Sequence, residues 1–227
     1  MQKKILRVLI FYIFLITACG IATAKPTPTP DQMDKSPFTG IPCAEPCWYE
    51  LELGKSNEND VISIIPTLTF IDQNSVIYHR MQSMSTYEDP RIFGEGEIVL
   101  ANCVNTGEQC LAIQVVKNIL TEISVVLNYQ IKVDEAIKYL GNPNYIGFDR
   151  AGGERIACRV YLIWSEKQLA LASKIFEGVS AAEKNCFIVR ETGRISPSIL
   201  VSEVKYMSPA AIDLLQTSSA SEFFSFR

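Results

Sequence analysis

Six cysteines downstream of an export signal constrain this chain more than any other feature: Cys43, Cys47, Cys103, Cys110, Cys158 and Cys186. An even set in an exported chain reads as disulfides, and each bridge excludes any fold that keeps its two ends apart. Connectivity does not follow from count alone, and sequential pairing is the simplest arrangement. Cys103 and Cys110 flank the turn-rich stretch VNTGEQ between two apolar runs, as expected of a stapled hairpin. Cys158 and Cys186 would close a longer loop and contribute more, roughly 3–4 kcal/mol on the loop-entropy argument. Cys43 and Cys47 would close very little, so their expected role is to fix where the chain enters the domain beside Trp48.

The leader MQKKILRVLIFYIFLITAC has a basic start (Lys3, Lys4, Arg7), an apolar run and small residues before Cys19. It is too short for a permanent transmembrane helix and reads as a secretory signal, residues 1–18. Ile16-Thr17-Ala18-Cys19 resembles the lipobox of bacterial lipoproteins, in which the cysteine is diacylated and becomes the new amino terminus. An ordinary cut near Ala22 or Ala24 is the alternative. Residues 19–40 are rich in Pro, Thr and small residues without apolar periodicity, and read as a flexible tether. The expected location is therefore the extracytoplasmic face of a cell membrane, held by the lipid anchor. Losing three positive charges with the leader takes the net charge from −4 to −7. A mildly acidic chain without a Lys/Arg track is a poor nucleic-acid binder, and none is expected as a partner.

The clearest pattern is VLNYQIKVDEAIKYLGNP at 126–143, where Val133, Ala136, Ile137 and Leu140 share one helical face. Gly141 and Pro143 then stop the helix. LELGKSNENDVISIIPTL at 51–68 reads the same way, with Val61, Ile62 and Ile65 on one face and Pro66 after them. A shift of 75 residues lays Asn59–Ile62 over Asp134–Ile137. Strands are expected at Val76–Met84, Glu97–Cys103 and Cys110–Leu127, the last broken near Lys117-Asn118. In the second half they are expected at Tyr145–Phe148, Arg155–Trp164, Gln168–Ile175 and Ile199–Met207. Ser208 and Pro209 suit the start of a helix carrying Ile212 and Leu215. The expected class is α+β: two tandem helix-then-antiparallel-meander units, 41–125 and 126–227, forming one sheet-based domain.

YQIKVDEAIKYLGNP followed by strands resembles the SmpA/OmlA (BamE-like) small lipoproteins and the beta-lactamase-inhibitor-protein-like repeats, whose units end a short helix with Leu-Gly-x-Pro. Leu140-Gly141-Asn142-Pro143 matches that stop, whereas the first unit has Ile65-Pro66 and no glycine. IPCAEPCWYELELGKS also resembles uncharacterised bacterial lipoproteins that begin Pro-Cys-x-x-Pro-Cys-Trp, matched by Pro42, Cys43, Pro46, Cys47 and Trp48. The resemblance, over about Gly40 to Met207, implies a non-enzymatic binding or scaffolding module that presents a concave sheet to a protein. Inhibition of an exported enzyme would follow from the same analogy.

Catalytic signals are sparse. The single histidine, His79, sits in a strand-like run, and there is no G-x-S-x-G. One histidine and no second close cysteine pair leave no zinc set, and no cofactor motif is present. GKS at 54–56 lacks the upstream glycine of a phosphate loop and reads as a turn. Residues 149–154, DRAGGE, lack calcium-ligand spacing and read likewise. Glu88, Asp89, Glu95 and Glu97 form an acidic stretch whose polar setting suggests a solvated face. Trp48, Tyr49, Tyr129, Tyr145 and Phe148 are the binding candidates, since aromatics are enriched at interaction hot spots. The tail EFFSFR either adds an edge strand or stays exposed. The leading expectation is a tethered protein-binding or scaffold lipoprotein with a protein partner. The alternative is a tethered enzyme, either a thiol oxidoreductase at Cys43/Cys47 or a carboxylate-based hydrolase on the acidic stretch.

Overall fold

Alternating apolar residues place the chain in strands wherever the sequence expects them, and the ladders join into one antiparallel sheet. The computed structural model describes residues 33–85, 93–104, 106–151, 157–192, 194–209, 211–213 and 221–225. The leader, Cys19 and the tether through residue 32 lie outside the described residues. So do Glu88, Asp89, residues 152–154, Leu215 and Phe226.

A small hairpin, β1 (Cys47–Trp48) and β2 (Leu51–Glu52), precedes the main sheet. The first meander is β3 (Ile77–Ser85), β4 (Phe93–Asn102), β5 (Gln109–Val116) and β6 (Ile119–Lys132). The second half supplies β7 (Tyr145–Ala151), β8 (Ala157–Trp164), β9 (Leu169–Ser173), β10 (Phe176–Glu177), β11 (Leu200–Met207) and β12 (Ser221–Ser225). Nine strands follow one another in the order β12-β7-β8-β9-β11-β6-β5-β4-β3, and the short β10 pairs with β8 beside that path. The tail thus adds an edge strand, Phe223 opposite Gly147.

This overturns the expectation of an α+β protein made of two helix-meander units. The helices are short: α1 (Ser36–Thr39), α2 (Glu58–Ile64), α3 (Val133–Leu140), α4 (Val179–Ala182) and α5 (Ile188–Thr192). The halves do not form separate layers, because β6 pairs with β5 on one side and β11 on the other, with Val125 opposite both Leu111 and Val204. Lys117 and Asn118 form the two-residue turn between β5 and β6, both with left-handed backbone (φ +53° and +61°) as a tight right-twisting hairpin requires.

The helices share one face of the sheet. Val61 from α2 and Ile65 from the 3-10 turn that follows it, and Val133, Ala136 and Leu140 from α3, join the main core with Leu111, Ile113, Val160, Leu162 and Val204. Ile62, expected inside, is exposed, because a seven-residue helix buries only one narrow stripe. Gly141 ends α3 with positive φ, and the Trp164 indole donates to its carbonyl at 3.0 Å. The opposite face holds a second, smaller apolar cluster: Ile163, Ala170 and Met207 under Ala211 and Ile212. Ser208 caps that last turn through its hydroxyl, 3.2 Å from the Ala211 amide.

Candidate functional site

Three of the five aromatic candidates converge on one buried residue, Asp34. The chain from Asp34 to Phe38, at the end of the tether-like stretch, is already folded against the sheet: Asp34, Ser36, Pro37 and Phe38 are buried. Asp34 Oδ2 accepts from Trp48 Nε1 at 3.0 Å, and Oδ1 accepts from the Ser36 amide at 3.0 Å and hydroxyl at 2.7 Å, with the Tyr49 hydroxyl at 3.4 Å. The Tyr129 hydroxyl donates to the Asp34 carbonyl at 2.6 Å. Trp48 is fully buried, edge-on to Tyr49 with ring centres 4.9 Å apart. Tyr49 and Glu50 turn the β1–β2 hairpin with left-handed backbone (φ +48° and +68°), a conformation costly for a bulky side chain and held here by Asp34 and the core.

Burial raises the Asp34 carboxyl above its ordinary range, against the pull of its Ser36, Trp48 and Tyr49 donors. Burial, then the Asp34 charge, raises the phenols of Tyr49 and Tyr129. With 2% exposure and a donor on each oxygen, Asp34 is held inside the fold. It joins the incoming chain to the sheet. Beside it lies a cleft of 330 Å³ lined by Met33, Phe38, Tyr129, Ile131, Glu135 and Tyr139, with Phe38 and Tyr139 ring centres 6.2 Å apart. The remaining two aromatics are elsewhere: Phe148 is fully buried in the main core, and Tyr145 packs against the second cluster.

The sheet face away from the helices carries a charged network that sequence reading missed. It crosses five neighbouring strands. Arg159 pairs with Glu203 and donates to the Ser173 carbonyl at 2.7 Å; Glu203 also accepts from Ser124. Lys205 lies 3.3 Å from Glu122 and 3.8 Å from Glu203, while the Tyr161 hydroxyl donates to Asp149 at 3.0 Å. The alternation of β8 and β11 implies charges here, but which partners meet depends on long-range register.

At one end of the sheet, β3 pairs only with β4 among the described residues, so its outer row of backbone groups is free of a ladder. Residues 77–82 are exposed, including Ile77 (50%), Tyr78 (43%) and Met81 (41%), and His79 stands among them. His79 is therefore an edge-strand residue. Gly54-Lys55-Ser56 forms a turn whose Gly54 amide donates to the Leu120 carbonyl at 2.8 Å. In the acidic stretch, Glu95 is exposed, but Glu97 is buried on β4, contrary to the solvated face expected.

The six cysteines form three disulfides, Cys43–Cys47, Cys103–Cys110 and Cys158–Cys186. Cys43 Sγ also accepts from the Glu50 amide at 3.2 Å, tying the staple to the aromatic hairpin. Three disulfides fit an oxidising, extracytoplasmic environment. Among the described residues no helix is long and apolar enough to cross a membrane, and no three His, Cys, Asp or Glu side chains converge as a metal site. No known protein family, curated protein or solved structure matches the chain.

Proposed function

We propose that the chain is an extracytoplasmic lipoprotein, anchored through acylated Cys19, that binds a protein partner without catalysing a reaction. The partner adds an extended segment to the free edge of β3. The observation that carries this reading is the edge itself: nine residues long, exposed over 77–82, with Ile77 and Met81 two ladder steps apart on one face and Tyr78 on the other. Such edges are usually blunted by charge or proline, because their unpaired amides and carbonyls recruit another strand. A segment with apolar residues at alternate positions would gain main-chain hydrogen bonds and cover Ile77 and Met81. The lipobox-like Ile16–Cys19 and the disulfides support the location.

The test is site-specific photo-cross-linking in living cells, with the full lipidated chain carrying the cross-linker at position 77, 79 or 81, or at exposed Glu166 as control. A single adduct from the β3 positions, absent from position 166 and lost when Ile77→Lys and Met81→Lys are combined with the cross-linker at 79, supports the reading. Equal labelling from position 166, or an adduct unaffected by the two lysines, overturns it. In parallel, Cys19→Ser should abolish incorporation of labelled fatty acid and release the protein from membranes.

A further inference from the structure

A second cleft, of 300 Å³, opens where α2 meets β3 and β4. Its walls are charged: Glu58 from α2, Arg80 from β3, Glu95 and Glu97 from β4, and Lys117 from the β5–β6 turn, with Val115 as the apolar part. Register explains the meeting. Arg80 lies opposite Glu97, and Glu97 opposite Val115, so all three point to the helix side of the sheet. The Glu58 amide is held by Asn118 Oδ1 at 3.2 Å, which brings the start of α2 over the turn.

Arg80 Nη2 donates to Glu58 Oε1 at 2.7 Å and stands 3.9 Å from Glu97 Oε2. Glu97 is 6% exposed and lines the cleft, yet its Oε2 has no hydrogen-bond partner among the described residues. Buried acceptors are almost always paired, so a carboxylate oxygen that accepts no hydrogen bond, on a residue that lines a cleft, marks a place for a donor. Three carboxylates against two cations repel an anion. Too few oxygens converge for a metal. A primary ammonium has one charge, three donors and an apolar stem that Val115 can cover.

We propose that this cleft binds a primary ammonium group, with Glu97 Oε2 as its main acceptor and Glu95 and Glu58 beside it. Arg80 neutralises Glu58, leaving Glu97 and Glu95 to the ligand. The ammonium belongs either to a small aliphatic amine or to a lysine side chain of another protein. Burial, then the neighbouring Glu58, raises the Glu97 carboxyl above its ordinary range, and Arg80 opposes them. Binding uses the ionised form, so an ammonium competes with the proton for Glu97. The groups facing Glu97 in that exchange are Glu58, Tyr78, Arg80, Glu95 and Lys117.

The test is calorimetric titration of the full lipidated chain in detergent micelles with cadaverine and with an acetyl-capped tri-lysine peptide, at neutral and at lower pH. Saturable binding with a Kd of about 1 mM or tighter, weakening as pH is lowered, is expected. Glu97→Gln should weaken it by roughly tenfold or more, because a charge-assisted bond is lost. Glu95→Gln changes an exposed side chain and decides the matter if Glu97→Gln fails to fold; it should weaken binding by about threefold. Tighter binding of the diamine assigns a free amine, and tighter binding of the peptide assigns a protein lysine. No saturation with either probe, or wild-type binding by the glutamine variants, overturns the proposal.

Discussion

Asp34→Ala is the most informative single change, because one side chain joins the incoming chain, the β1–β2 hairpin and, through its backbone carbonyl, β6. Alanine leaves the Trp48 indole N–H, fully buried, without its acceptor, and removes the acceptor for both the Ser36 amide and hydroxyl. Bonds to a charged acceptor contribute about 1.5–3 kcal/mol each, and a buried donor left bare costs about 1–3 kcal/mol. The wild-type carboxylate already bears a desolvation penalty of several kcal/mol, which alanine relieves. The balance is a loss of about 3 kcal/mol, equivalent to roughly 6–12 °C in Tm for a chain of this size. Asp34→Asn should cost about half as much, since one amide cannot accept from both Trp48 and Ser36 at the two positions. Urea and thermal unfolding followed by circular dichroism measure both. A variant within about 0.5 kcal/mol of wild type, or a Trp48→Phe/Asp34→Ala pair whose effects simply add, refutes the coupling described here. Asp34 also sets a pH dependence. Because burial raises its folded pKa above the ordinary 3.8, the native state holds the proton more tightly than the unfolded chain. Its contribution is full below pH 3.8 and is lost as pH rises through the folded value; Asp34→Asn should remove that slope.

Removing Cys158–Cys186 by paired serines should cost roughly 3–4 kcal/mol in urea unfolding, against about 2 kcal/mol for Cys43–Cys47, since the first encloses 28 residues of separation and the second 4. On the open sheet face, Glu203→Ala should cost about 2–3 kcal/mol by stranding Arg159, whereas Arg159→Met with Glu203→Met should cost less than either change alone; a double variant worse than both singles would count against a linked pair. Glu97, raised above its ordinary 4.5 by burial and Glu58, stabilises most below pH 4.5 and progressively less as pH rises through its folded value. Stability measured from pH 4 to 8 should be flatter in Glu97→Gln than in wild type.

Local periodicity carries strand positions well, and long-range pairing poorly. The alternation in RIACRVYLIW sets Ile156, Cys158, Val160, Leu162 and Trp164 on one face; the last four are in the core and Ile156 lies outside the described residues, while the break at Lys117-Asn118 is legible because two polar residues between apolar runs suit a tight turn. That β6 and β11 join the two halves is not legible: Val125 and Val204 are ordinary strand residues, and nothing near either names its partner. The α+β reading failed for the same reason. Two helix patterns at a 75-residue spacing suggested two units, but helices of seven and eight residues merely cover one face of a shared sheet.

Charged residues were hidden by their context. Asp34 sits in a Pro- and Thr-rich stretch that reads as solvated tether, while the groups that desolvate and satisfy it lie 14 and 95 positions away at Trp48 and Tyr129. Glu97 belongs to an acidic run that reads as a wet loop, yet its ladder partner Arg80 and the helix residue Glu58 enclose it. In both places a polar side chain in an unremarkable segment is buried by elements remote in sequence. Desolvation makes each consequential, because a carboxylate that would cost nothing in water must find donors in the fold or in a ligand. Asp34 finds its donors within the chain and fixes the domain entrance. Glu97 Oε2 accepts no hydrogen bond among the described residues, and that difference separates a structural carboxylate from one on the wall of a cleft.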